Sequence, residues 1–151
     1  MKKHLLTATL LLSVCFFAFS QPGINNKMSK IENEMGYIIK KYNPTIAKTD
    51  TSLTYTFADT AAHSKELYFV FDQDKKCKLR SWTYTVRAYY QKTFNVIRLN
   101  KGSDWKQIEP NKYISKYSEH MLLVADDKKL SIIVTRVNFT EDEFKQLITA
   151  K

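Results

Sequence analysis

Glycine and proline are nearly absent from this chain. Three of each occur in 151 residues: Gly23, Gly36 and Gly102, and Pro22, Pro44 and Pro110. That scarcity excludes collagen-like and low-complexity architectures and leaves no linker to a second domain. It removes any glycine-rich loop able to cradle a phosphate. It also removes the Gly-rich turn that aims backbone N–H groups at an oxyanion. Cysteine is equally rare, with only Cys15 and Cys77. There is no CxxC or HxxH spacing, and a metal site needs several ligands converging. Neither a metal nor a cofactor is expected. The longest apolar run, Leu5 to Phe19, is shorter than the roughly 20 residues that span a bilayer.

What that run does fit is an export signal. Lys2, Lys3 and His4 supply a basic start, and Ala18 and Ser20 the small residues of a cleavage site before Gln21. The expectation is a signal peptide over residues 1–20, with a periplasmic or secreted domain over residues 21–151. Leu12-Ser13-Val14-Cys15 departs from a lipidation motif at Val14. Removing Lys2 and Lys3 leaves 22 basic against 15 acidic side chains, a net charge of +7. Cys77 is then the one cysteine and has no partner in its own chain. Its place opposite Phe71 on an apolar face reads as a core cysteine.

The centre of the chain is Glu66 to Arg87. Leu67, Phe69 and Phe71 alternate with Tyr68 and Val70, the period of a strand. Asp72-Gln73-Asp74-Lys75-Lys76 is a turn, because Asp side chains bond back to nearby backbone. Asp72 and Asp74 begin like a calcium loop, but the required glycine and distal Glu are missing. Pairing Phe71 with Cys77 predicts Phe69 beside Leu79 and Tyr68 beside Arg80. One face is then apolar, and the other joins Tyr68, Arg80, Trp82 and Tyr84. Trp, Tyr and Arg are the common anchors of interfaces, so these four form the candidate binding surface. The competing expectation is that a helix covers this face and makes it core. Exposure of Trp82 separates the two.

Elsewhere, Ser29 and Glu32 form a capping-box pattern. Ile31, Met35, Ile38, Ile39 and Tyr42 then mark a helix that either ends at Gly36 or runs to Tyr42 before Asn43-Pro44. Thr45 to Thr51 reads as a connection and Leu53 to Phe57 as a strand. Ala88 to Asn95 or beyond reads as a helix, although Asn95 to Leu99 also passes as a strand. Trp105 and Ile108 sit in an edge-like segment before Pro110, and Asn111 to Glu119 is mostly polar. Met121 to Ala125 and Leu130 to Phe139 form a second hairpin around Asp126 to Lys129. Thr140 and Glu143 make a second capping box, with Phe139 and Phe144 at its staple positions. The expected fold is a single α+β domain: an antiparallel sheet of about five strands, an N-terminal helix, a middle helix and a short C-terminal helix. No internal repeat is visible.

The Met28-Ser29-Lys30-Ile31-Glu32 helix start, the Leu67 to Asp72 strand followed by Cys77, and the Ile132-Ile133-Val134-Thr135 strand resemble those of small exported bacterial proteins of unassigned function. The opening helix and hairpin are also similar to small outer-membrane assembly lipoproteins and to β-lactamase-inhibitor-like folds. The resemblance implies an envelope or secreted binding module and brings no catalytic residues.

Function is therefore expected to be recognition. The partners considered are an envelope protein, a lipid or a glycan. Basic residues beside aromatics also suit single-stranded nucleic acid, but an exported chain does not meet it. An enzyme would have to pair Cys77 with His63 or His120. A third reading is a sheet edge that adds a strand from another chain. Lysines can equally serve to solvate the outer face of a sheet and guard its edges.

Overall fold

Residues 23–58 and 64–149 are described in the computed structural model. The expected signal peptide, residues 1–20, and His63 lie outside them. Helix α1 spans Met28–Tyr42 and precedes four strands, β1 (Thr45–Lys48), β2 (Ser52–Thr56), β3 (Glu66–Phe71) and β4 (Cys77–Thr83). Helix α2 spans Arg87–Arg98 and precedes four more, β5 (Lys106–Glu109), β6 (Lys112–Ile114), β7 (Met121–Asp126) and β8 (Ser131–Arg136). A short 3-10 turn at Tyr117–Glu119 lies between β6 and β7, and α3 (Glu141–Thr149) follows β8.

All eight strands form one antiparallel sheet in the order β1-β2-β3-β4-β8-β7-β6-β5. The class is α+β as expected, but the sheet has eight strands and not about five. Of the three beyond those five, β5 falls in the segment read as edge-like before Pro110, and β1 and β6 were not revealed by the pattern. Every residue of β1 is exposed, and so is β5 apart from half-buried Ile108. Edge strands have little to bury, so alternation cannot announce them. Their turns form them instead. Thr49 Oγ1 accepts from the N–H groups of Thr51 and Ser52 to close β1–β2. Pro110-Asn111 closes β5–β6, with Asn111 in the left-handed region at φ 59°, which Asn tolerates better than most residues.

The order of elements hides a repetition. A helix followed by a four-strand meander occurs twice, and the two meanders meet antiparallel at β4 and β8. The register Arg80↔Val134, Ser81↔Ile133 and Trp82↔Ile132 places an approximate two-fold axis between Ser81 and Ile133. By that axis Arg80 corresponds to Ile132 and Trp82 to Val134. The halves share burial at matching positions but not residue types, so the sequence shows no repeat.

One face of the sheet is the core. Leu53, Phe69, Val134, Leu123 and Tyr113 lie in one cross-strand row, and Tyr55, Leu67, Trp82, Ile132 and Ala125 in the next. All ten are buried, together with Ile31, Met35 and Ile38 of α1 and Tyr90 and Ile97 of α2. Both helices therefore pack on this face. Helix α3 returns against β5. Phe144 of α3 and Ile114, whose side chain is on the second face, are buried apart from the main cluster.

Two local expectations need correction. Helix α1 begins at Met28, and Ser29 and Glu32 make no cap; the N-cap is Lys27, with no side-chain bond. Tertiary pairing sets the start. Asn25 N–H donates to the Cys77 carbonyl, Cys77 N–H to Asn26 and Met28 N–H to Lys75. These bonds hold the entry segment against β4, and the helix begins where they leave off. By contrast, the Thr140 box forms: Thr140 N–H donates to Glu143 Oε2 at 2.7 Å, and Glu143 N–H to Thr140 Oγ1 at 3.3 Å. Phe139 and Phe144 stack beside it with centroids 5.7 Å apart.

The second correction is the central register. Phe71 does pair with Cys77, but a bulge follows, so Val70 pairs with Leu79, Phe69 with Arg80, Tyr68 with Ser81 and Leu67 with Trp82. Lys78 is the extra residue. Its carbonyl accepts from Thr135 Oγ1 at 3.1 Å, and the Cys77 thiol donates to the Leu79 carbonyl at 3.3 Å. The bulge turns Leu79 outward and Arg80, Trp82 and Tyr84 inward. Burying an indole and a phenol removes far more apolar area from water than burying Leu79, Ser81 and Thr83. That gain outweighs the desolvation of one guanidinium.

Candidate binding site

The four residues expected to form one surface are divided between the two faces. Tyr68 lies on the second face and is half-buried. Trp82 is 1% exposed, and Arg80 and Tyr84 are each 5% exposed. Exposure of Trp82 was the discriminating observation, and its value places this residue in the core beneath the helices. The Arg80 guanidinium lies 4.4 Å from the Trp82 ring centroid and 5.0 Å from that of Phe69. Burial pushes its pKa down to about 10, with partial relief from Tyr84, Cys77 and Glu34. It stays protonated at neutral pH, and stacking on two electron-rich faces stabilises it there.

Cys77 is fully buried. Burial pushes the thiol up to about 11, against the opposing influence of Arg80. A nucleophile needs the thiolate, so this environment is the reverse of an activating one. His120 stands elsewhere, with Tyr117 and Phe139 ring centroids 4.8 and 5.2 Å from its own.

A cleft of about 450 Å³ opens at one end of the sheet. It is lined by Asn25, Glu119, His120, Arg136, Thr140 and Glu143, among others. Its strongest groups already have structural duties. Arg136 donates to Asp72 Oδ2 at 2.6 Å and to Asn25 Oδ1 at 3.0 Å, so one side chain ties β8 to the β3–β4 turn and the entry segment. Glu143 caps α3, and Glu119 pairs with Lys116 at 3.4 Å. The cleft is a junction of turns, with few groups left to converge on a ligand.

The junction makes a pH prediction. The Arg136 bond, then the Lys76 N–H, hold the Asp72 carboxyl below its usual value. A depressed carboxylate stabilises the fold above its unfolded pKa and loses that contribution as pH falls through its folded pKa. Wild type should therefore melt above Asp72→Asn at neutral pH, and the gap should narrow and close as pH falls through and below the ordinary aspartate range. A gap independent of pH would show that the Asp72 charge is not what matters.

The second face differs from the first. Ser52, Val70, Leu79, Thr135 and Leu122 form one cross-strand row, and Thr54, Tyr68, Ser81, Ile133 and Val124 the next. Each of the ten keeps partial exposure. None of the ten carries a charge, in a chain of which 26% of residues are charged; the second row ends in β6 at Lys112, opposite Val124, whose ammonium pairs with Glu109 at 3.0 Å. Sequence reasoning missed this patch because the bulge reverses β4. The available signal was the charge-free alternation of β8, where Ile133 and Thr135 face away from Ile132 and Val134.

No family model, curated protein or solved structure matches the chain. Among the described residues, no helix is long and apolar enough to cross a membrane.

Proposed function

We propose that this protein is an exported, non-enzymatic binding module that holds another protein against the second face of its sheet. The observation that carries this reading is the uncharged ten-residue patch across β2, β3, β4, β8 and β7. Depletion of charge is the compositional mark of an interface centre. The centre of the patch holds no cation, and Lys112 at its rim is already paired with Glu109, so an anionic lipid or acidic glycan finds little there, whereas a neutral protein surface complements it. Strands about 4.8 Å apart and about 3.4 Å of rise per residue give the patch roughly 300–400 Å². A standard interface takes about 800 Å² per partner, so the contact is of the transient kind. Export is argued from Lys2 to Ser20 alone.

The sheet edges are less suited to the work. β1 and β5 have four residues each, carry Lys48 and Lys106, and adjoin Pro44 and Pro110. Short length, lysine and proline are how proteins guard edges against strand addition.

Ile133→Glu places a charge at the patch centre and should leave folding nearly intact. Crosslinking in the cell envelope should recover one stoichiometric partner with wild type and with Lys145→Glu. With Ile133→Glu, recovery should drop at least about tenfold, since a buried unpaired charge is strongly opposed. Equal recovery with Ile133→Glu, or no partner at all, would sink the reading. A wild-type dimer that Ile133→Glu dissociates would replace the partner with a second copy.

A further inference from the structure

The helix side of the molecule carries a second surface, independent of the sheet face. Residues 87–102 contain Arg87, Lys92, Arg98 and Lys101 and no acidic side chain. Helix α2 buries Tyr90 and Ile97. Its outward stripe, at helical spacing, is Ala88, Lys92, Val96 and Leu99, all exposed. Leu99 is 66% exposed and Val96 41%, among the most exposed large apolar side chains described. On the same side, α1 turns out Lys40, Lys41 and Tyr37, the last 58% exposed with the Lys41 ammonium 5.9 Å from its ring centroid.

We infer that this helix layer docks on an anionic lipid surface. Charge complementarity carries the inference: residues 87–102 are a run of cations with no carboxylate of their own, interleaved with protruding apolar side chains, which suits a negatively charged interface, and the nearby carboxylates are engaged, Asp127 by Tyr90 and Glu34 of α1 by Lys30. A folded protein partner is less well matched. Leu99, Val96 and Tyr37 are separate points on two convex helices, and they provide no continuous apolar centre of the kind an interface needs. In a headgroup layer each can insert by itself while neighbouring Lys and Arg meet phosphates. The second face of the sheet would then point away from the membrane.

The test is vesicle co-sedimentation of the protein purified from the envelope fraction of cells that make it. Vesicles of phosphatidylcholine are compared with vesicles containing about one-third phosphatidylglycerol, and binding is repeated as salt is raised from about 0.05 M to about 0.3 M. Wild type should prefer the anionic vesicles at least about tenfold and lose that preference in high salt. Lys92→Glu with Lys101→Glu should lose it at low salt, and Leu99→Ser should weaken it several-fold. A matched control, Lys76→Glu with Lys145→Glu, changes net charge equally away from α2, in the β3–β4 turn and on α3, and should retain it. Equal loss in the control would mean diffuse net charge and overturn the assignment. So would equal binding to both vesicles or to neither, the result expected if the surface serves an acidic protein. Ile133→Glu should bind vesicles like wild type, which separates failure here from failure of the sheet-face proposal.

Discussion

Trp82→Ala should lower the unfolding free energy by about 3–5 kcal/mol, the range for truncating a fully buried large aromatic. Trp82 is almost wholly inaccessible. It pairs across strands with Leu67 on one side and Ile132 on the other and carries the Arg80 guanidinium on its ring. Truncation leaves a void at the join of the two halves, where backbone on both sides is fixed by sheet bonds and cannot close in. Tyr68→Ala, next along β3 to Leu67, the partner of Trp82, but on the second face, should cost about 1 kcal/mol or less, as partly exposed positions do. Urea unfolding followed by far-ultraviolet circular dichroism checks both without relying on the deleted indole. A Trp82→Ala loss below about 1 kcal/mol would mean that the indole is a surface group and that the central register is wrong.

That pair of residues also shows what the sequence could convey. Two hairpins were legible because their turns carry the reason for turning. Asp72 Oδ1 accepts from Lys76 N–H, and Asp126 Oδ1 accepts from the N–H groups of Lys128 and Lys129. The α3 start was legible because Thr140 and Glu143 complete each other locally. Cys77 was read as core and is core. Features decided by long-range contacts were not legible. The α1 start depends on backbone 50 residues away, and β1 and β6 exist because neighbours offer them hydrogen bonds. The bulge at Lys78 was hidden because Cys77, Leu79 and Val70 are all plausible inward residues. The choice between faces lay in the summed area of Trp82 and Tyr84. One extra residue in β4 moved three of the four expected surface residues into the core, and the candidate surface moved with them to Val70, Leu79 and Ile133.

The buried guanidinium makes the second large prediction. Arg80→Glu should yield no folded protein at neutral pH. The carboxylate would be desolvated in the same place and would face the negative rings of Phe69 and Trp82, where the cation was attracted. Arg80→Met should fold and stay within about 1.5 kcal/mol of wild type, because a long apolar chain refills most of the volume and removes a desolvation penalty. The depressed pKa of Arg80 has the same sign: below about 10 the group is charged at a cost to the folded state. The internal two-fold supports the apolar replacement, since the matching position in the second half is Ile132, fully buried. Thermal melts of the three proteins at equal concentration decide the point. If Arg80→Met fails to fold, the guanidinium's own hydrogen bonds hold the entry segment over the core, with Gly23 close beside Nη1. Arg80→Lys would then fail as well, because an ammonium cannot reproduce the planar stack. If Arg80→Met folds and melts above wild type, the buried guanidinium carries a net cost to the fold, as its depressed pKa indicates.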